Sequence, residues 1–276
     1  MKRVLFLATA FTFAVSTSAQ NGGMIKLEKG KKYKIENKVV TNNVTDIQGQ
    51  QMESNMDIAV TYNMEVADFA GGRYTIKSTL SSVKMKTQMM GQEFSYDSDD
   101  PSSSGGPLSV GVADIVGKQT AIVVDNSGQS VEEVKVKDST ASPIVEQLGS
   151  SDYGVKAAVI ALPANLKVGD TWNVSDPETA AVINNLTYTV RVIDGNVATL
   201  AFTGTTKSKT TVENAGMEIH TNSSGKVEGE ATVDKNTGLV KGAKSKSEST
   251  GTVEVMGQEF PLQATITSET TVSEVK

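Results

Sequence analysis

Met90-Gly91-Gln92-Glu93-Phe94 reads as a tight turn between two alternating segments, and it recurs as Met256-Gly257-Gln258-Glu259-Phe260. Looser copies stand at Gln48-Gly49-Gln50-Gln51-Met52 and Ala215-Gly216-Met217-Glu218-Ile219. A second kind of turn, led by aspartate, falls midway between them at 68–72, Asp194-Gly195 and 234–238, so that glycine turns recur about every 21 residues. Successive tight turns lie at opposite ends of a meander, which sets the first kind along one edge of a sheet and the second along the other. That leaves about 16–18 residues per strand, where ~5–6 is usual. Right-handed twist accumulates over strands of that length, so the sheet has to curve. The fold class that follows is mainly β: a long-stranded, curved antiparallel meander with two or three short helices inserted between two related halves.

The phase of the strands is legible. Met52, Ser54, Met56, Ile58, Val60, Tyr62, Met64 and Val66 hold the even positions of one segment, and Glu53, Asn55, Asp57, Thr61, Asn63 and Glu65 the odd ones. A period of two with one apolar face is a half-buried strand. After the turn, Tyr74, Ile76 and Leu80 stay on even numbers, then Val83, Met85 and Met89 change to odd. A β-bulge at Ser81-Ser82 makes that change and bends the strand. By contrast, 203–211 and 241–252 carry Ser, Thr, Lys, Gly and Glu on both faces and are expected as single-layer sheet with little to bury.

The halves are related through Leu27-x-x-Gly30-x-x-Tyr33 and Leu166-x-x-Gly169-x-x-Trp172, each opening a meander. In both, the glycine permits a tight approach to the first strand and the aromatic anchors that strand in the core. Between the meanders lies an insert of another kind. Pro107, Leu108, Val112, Ile115, Val116 and Gly117 have the spacing of a short helix. A hairpin around Asn126-Ser127-Gly128 follows, then a helix capped by Ser142 and stopped at Gly149, and a third over 153–162 that ends at Pro163. The organisation is therefore a signal peptide (1–19), a first β-meander (20–101), a helix and hairpin insert (102–165) and a second, longer meander (166–276), forming one composite domain.

Met1-Lys2-Arg3, an apolar run over 4–15 and Thr17-Ser18-Ala19 compose a secretory signal peptide, too short to span a bilayer, with cleavage after Ala19. The chain has no cysteine, so it offers neither an acylation site of the lipoprotein kind nor a disulfide framework. The expected product is exported, periplasmic or extracellular, without a transmembrane span. Loss of Lys2 and Arg3 takes the basic residues from 26 to 24 against 32 acidic ones and the formal charge from −6 to −8. Such a balance argues against nucleic acid or anionic lipid as a partner.

The residues offer little to catalysis, and no cofactor is expected. His220 is the only histidine and stands on a polar strand, whereas metal sites and triads need several partners. No phosphate-binding glycine loop or nucleophile elbow occurs. Asp97, Asp99 and Asp100 invite a calcium reading, but Ser102 stands where an EF-hand needs Gly and Leu108 where it needs Glu. Trp172 reads as a core anchor rather than a carbohydrate platform, since aromatics total 5 %. Six of the ten methionines lie between Met52 and Met90. Methionine is flexible and polarizable, and fits either a gap-filled core or a surface that accepts variable apolar shapes.

On Leu27-Glu28-Lys29-Gly30-Lys31-Lys32-Tyr33, on Leu162-Pro163 with Val168-Gly169-Asp170-Thr171-Trp172, and on Ile115-Val116-Gly117-Lys118 leading to Asn126-Ser127-Gly128 and Val131, the chain resembles an uncharacterised family of exported all-β proteins typical of Bacteroidota envelopes. More distantly it is similar in outline to the half-barrel of periplasmic lipoprotein carriers, which implies binding of an apolar ligand. The resemblance transfers no site residues. Two functions follow. One is a non-enzymatic binding protein that holds a lipid or other apolar small molecule on the concave sheet face near Met56, Ile58, Val60 and Met64. The other is a structural or interaction module that meets an envelope protein through its polar hairpins around Gly216 and Gly257.

Overall fold

The computed structural model describes residues 23–275 apart from positions 48, 90, 104–105, 107, 134–144, 146–147, 177–179 and 215–216. Its strands are β1 (Lys32–Ile47), β2 (Gln50–Ala70), β3 (Arg73–Met89), β4 (Gln92–Asp97), β5 (Gln119–Asp125), β6 (Ser130–Glu133), β7 (Thr171–Ser175), β8 (Val182–Asp194), β9 (Val197–Asn214), β10 (Met217–Asp234), β11 (Val240–Val255) and β12 (Gln258–Val275). They form one twelve-stranded antiparallel sheet in the order β6-β5-β3-β2-β1-β12-β11-β10-β9-β8-β7, with β4 also on β3. Seven strands run 16 residues or more, and β2 reaches 21. Gly91 and Gly257 take φ of 75° and 78° at their turns, the conformation for which glycine carries no Cβ penalty.

The turn spacing says nothing about how the two meanders join. They join through the ends of the chain: β1 pairs with β12 from Lys32↔Val275 to Thr45↔Leu262. Among the described residues the free edges are consequently β7 on one side and β6 with β4 on the other, all short, as edge strands that must not recruit other chains tend to be. Register steps opposite Ser81, where Thr61 pairs with Ser82 and Tyr62 with Leu80, so the bulge sits where the change of phase requires it.

Of the expected helices, α1 (Ser151–Ala158) is regular, with the Ser150 hydroxyl accepting from the Asp152 amide at 3.3 Å. It ends before Pro163, because Val159 turns extended at φ −134° and bridges to Leu239, while Leu162 bridges to Met24. β-Branched Val159 and Ile160 suit that conformation. The Ile160 amide donates to the Gly238 carbonyl (2.8 Å), Ile25 to Asn126 (2.7 Å) and Lys26 to Thr237 (2.9 Å), so two extended segments close the end of the sheet marked by the Asp-led turns. Residues 108–117 wind through consecutive turns instead of a helix: Gly111 adopts φ 76°, which an α-helix cannot contain. A short 3-10 turn covers Pro101–Ser103. The segment expected to start at Ser142 lies largely outside the described residues.

One core cluster runs from Ile25 and Tyr33 through β2, β3 and α1 to Trp172, Tyr188 and Phe202. A second, smaller one, Ile219, Val253, Val255 and Leu262 with Phe260 against it, stands at the far turn end of β10–β12. The polar strands between them depart from the single-layer expectation, since Thr206, Ser208, Thr221, Ser223 and Ser247 are buried. The inward glycines explain it. A Cβ on Gly204 or Gly251 would strike the backbone carbonyl of Asn185 or Asn222 on the neighbouring strand, so the backbones approach closely and the sheet curls over its small side chains.

Candidate functional site

Every long strand alternates, and the inward phase carries little charge: Tyr33, Ile35, Asn37, Val39, Thr41 and Asn43 on β1 are representative, and Glu274 at the end of β12, opposite Tyr33 and paired with Lys31, is an exception. Most charge lies on the opposite phase, where Lys34–Glu36 (2.9 Å), Lys244–Glu269 (3.1 Å) and Lys84–Asp97 (2.9 Å) pair in solvent. Exposed pairs of this kind add little to stability, because solvent screens them. The acidic loop is spent on internal contacts: Asp97 and Asp99 both reach Lys84, and Asp100 accepts from the Ser102 amide and hydroxyl.

Met56, Ile58, Val60 and Met64 all point inward from β2 and are 1–3 % exposed. Across the sheet Met56 faces Thr41 and Thr87, Ile58 faces Val39 and Met85, Val60 faces Asn37 and Val83, and Met64 faces Tyr33 and Ser78. The structure thus brings the four together as the floor of the main core. α1 packs over β1, β2, β3, β5, β6 and β11 on this side. Two tyrosines tie α1 and the residues just before it to the sheet. The Tyr153 hydroxyl donates to Asn37 Oδ1 (3.1 Å), whose Nδ2 donates to Thr270 Oγ1 (2.8 Å), and Tyr62 donates to the Leu148 carbonyl (2.9 Å). Their rings meet at 5.7 Å, and Gly154 leaves room for Tyr62, whose ring would stand 3.1 Å from an added Cβ.

The other side of the concave face, on β7–β9, is built differently. Trp172 stacks on Tyr188 with centroids 5.2 Å apart and planes at 15°, and Tyr188 meets Phe202 at 5.5 Å. Below them, buried Asp176 accepts from the Asn184 amide (2.8 Å) and its Nδ2 (3.0 Å) through one oxygen. Burial, and then the Asp176 charge, push the Tyr188 phenol far above its ordinary range. Several buried polar atoms here have no partner within the protein: Trp172 Nε1, Tyr188 Oη, Asn184 Oδ1 and Ser208 Oγ, joined across the sheet by Thr41 Oγ1. Native proteins leave few such atoms, because each unmade bond costs ~1–3 kcal/mol.

Sequence reading places Trp172 correctly in the core but passes over Tyr188, Asn184 and Asp176. The usable signal was Asn184, an amide in the same inward phase as Leu186, Tyr188 and Val190.

The profile of a family of unknown function, DUF6263, matches residues 71–162 and 155–240. Curated proteins give no match to the chain. Among solved structures, lipovitellin, from a study of lipid-protein interactions in it, aligns over 90 % of this chain with 12 % identity and a TM-score of 0.48; the chain spans only 25 % of that protein. An outer-membrane channel from Pseudomonas putida F1 aligns over 93 % of this chain and 100 % of its own with 7 % identity and a TM-score of 0.27. OccK7 from Pseudomonas aeruginosa does so over 90 % and 100 % with 6 % identity and a TM-score of 0.28.

Proposed function

The chain belongs to this family of unknown function, DUF6263, and we propose that it is an exported, non-enzymatic binding protein that holds a lipid or other apolar small molecule on its concave face. The observation that carries the reading is the set of buried, unpaired polar atoms on a largely apolar surface, at Thr41, Trp172, Asn184, Tyr188 and Ser208. A core that served stability alone gains nothing from them and is destabilised by each. A ligand that brings its own hydrogen-bonding group removes the penalty, and sites of this sort are mostly apolar with a few placed polar groups. In this reading Met56, Ile58, Val60 and Met64 form the floor beside that ligand, and its polar part lies toward the unpaired atoms of β7–β9.

Native mass spectrometry of the mature protein, purified from its own envelope without detergent exchange, tests this. The expected spectrum contains the chain beginning at Gln20 plus a discrete adduct that organic extraction removes. A bare chain in every preparation overturns the reading.

One observation favours contact with an envelope protein as a second role. Met256 is 80 % exposed at the β11–β12 turn with φ 53°, a conformation that is costly for a side chain of its kind. Beneath it lies the separate cluster of Ile219, Val253, Val255 and Leu262. An apolar side chain held in strain in water gains nothing for the fold, and a partner with an apolar recess would cover it.

A further inference from the structure

The unpaired atoms near β7 and β8 differ in chemical kind, and the differences select a ligand class. Trp172 Nε1 can only donate, Asn184 Oδ1 can only accept, and Tyr188 Oη can do either. All three residues are at most 4 % exposed. Trp172 and Tyr188 are stacked neighbours, Asn184 lies four residues from Tyr188 on the same face of β8, and the carboxylate that Asn184 holds is close enough to Tyr188 to act on its phenol.

A carboxylate or phosphodiester supplies acceptors alone. It would serve Trp172 and Tyr188 but leave Asn184 Oδ1 unmet, and it would bring a second negative charge beside buried Asp176, on a face where the described strand residues offer no cation. An ammonium supplies donors alone and leaves Trp172 Nε1 unmet. An uncharged group that both accepts and donates completes all three without adding charge beside Asp176.

We infer that the ligand is a neutral amphiphile with more than one polar group in its head, such as an acylglycerol, whose head group lies against Trp172, Tyr188 and Asn184 while its hydrocarbon runs along Phe202. This rests on the reading of the concave face as a binding site.

Trp172 is the sole tryptophan and therefore the reporter. The delipidated, full mature chain is titrated with 1-monooleoylglycerol, oleate and oleylamine, each below its aggregation concentration, with Trp172 emission and bound ligand by mass as readouts. Monooleoylglycerol is expected to bind at least about tenfold more tightly than either charged analogue and to change the Trp172 emission. Tyr188→Phe, which keeps the ring, is expected to weaken it about fivefold, the loss of roughly one hydrogen bond. Oleate or oleylamine binding as tightly as the acylglycerol overturns the head-group assignment and leaves the binding reading standing. Failure of all three to bind overturns both.

Discussion

Gly30 and Gly169 hold the same place in two copies of one turn. The Gly30 amide donates to the Val66 carbonyl at 2.8 Å and the Gly169 amide to Val190 at 2.9 Å; each valine amide returns a bond, to Lys31 and to Asp170, at 3.0 Å. The two glycines have φ of 87° and 92°. In both copies register steps just past the valine, from Val66 to Asp68 and from Val190 to Val192, and the aromatic three residues after the glycine is buried. The relation between the halves is thus a repeated set of hydrogen bonds and a repeated bulge as well as a repeated string of letters.

At these two positions a Cβ would meet nothing within 4 Å, so conformation alone decides the effect of a substitution. Gly30→Ala and Gly169→Ala should each destabilise by about 1 kcal/mol, and the corresponding asparagine changes by less than half of that, because asparagine tolerates positive φ. For a chain of this size that is a fall of about 2–4 °C in the melting midpoint for alanine. Equal losses for alanine and asparagine would show that contacts, not φ, are at stake.

Gly251 presents the opposite case. Its φ is not positive, yet a Cβ there would collide with the Asn222 carbonyl and the Ser223 backbone. Gly251→Ala should therefore cost about 3 kcal/mol or more, since rigid backbone must move. Urea unfolding compared with Gly30→Ala checks the order. A milder effect at Gly251 than at Gly30 would mean that the strands are not in close contact there.

Removing the Tyr153 hydroxyl strands the buried Asn37 Oδ1 while leaving the Asn37–Thr270 bond in place. Tyr153→Phe should lower stability by about 1–2 kcal/mol, read as a lower urea midpoint at unchanged slope. A changed slope would indicate instead that α1 has left the sheet.

Tyr62 and Tyr188 both have phenols raised above the usual value, in each case chiefly by burial. A raised folded value means that the unfolded chain releases these protons first. Their contribution is complete below about pH 10 and is lost as pH rises beyond it, at about 1.4 kcal/mol per pH unit for each ring. Tyr188→Phe should remove one ring's share of that slope. At pH 7, without ligand, the same change should stabilise by about 1 kcal/mol, because the hydroxyl it deletes is buried without a partner. Melting curves from pH 7 to 11 decide both points, and a destabilised variant at pH 7 would mean that the hydroxyl is bonded after all.

Much of this was legible in the letters. Met-Gly-Gln-Glu-Phe announces its turns, and the change of apolar phase past Leu80 puts the bulge at Ser81. The pairing of β1 with β12 was not legible, since any two alternating strands present similar faces and only the curled sheet selects the partner. The helix expected over 108–117 failed on one backbone angle, that of Gly111, which an apolar spacing cannot report. The site was harder still. Asn184 and Tyr188 differ from ordinary core residues only by bonds they do not make, and a missing bond depends on what the curl brings near.

Met256 gives the sharpest separation between fold and function. It occupies the first central position of a tight turn with φ 53°, followed by Gly257 at φ 78°, a pair of angles for which asparagine is the favoured partner of glycine. Met256→Asn should raise stability by about 0.5–1 kcal/mol, seen as a higher melting midpoint. If the methionine is there for a partner, a photo-crosslinking residue at 256 should capture one discrete envelope protein in cells. The same residue at Val40, on the outward face of β1, should not. Adducts from both positions, or from neither, would remove the case for a contact at this tip. A Met256→Asn variant no more stable than the parent would show that the turn, and not a partner, accounts for the methionine.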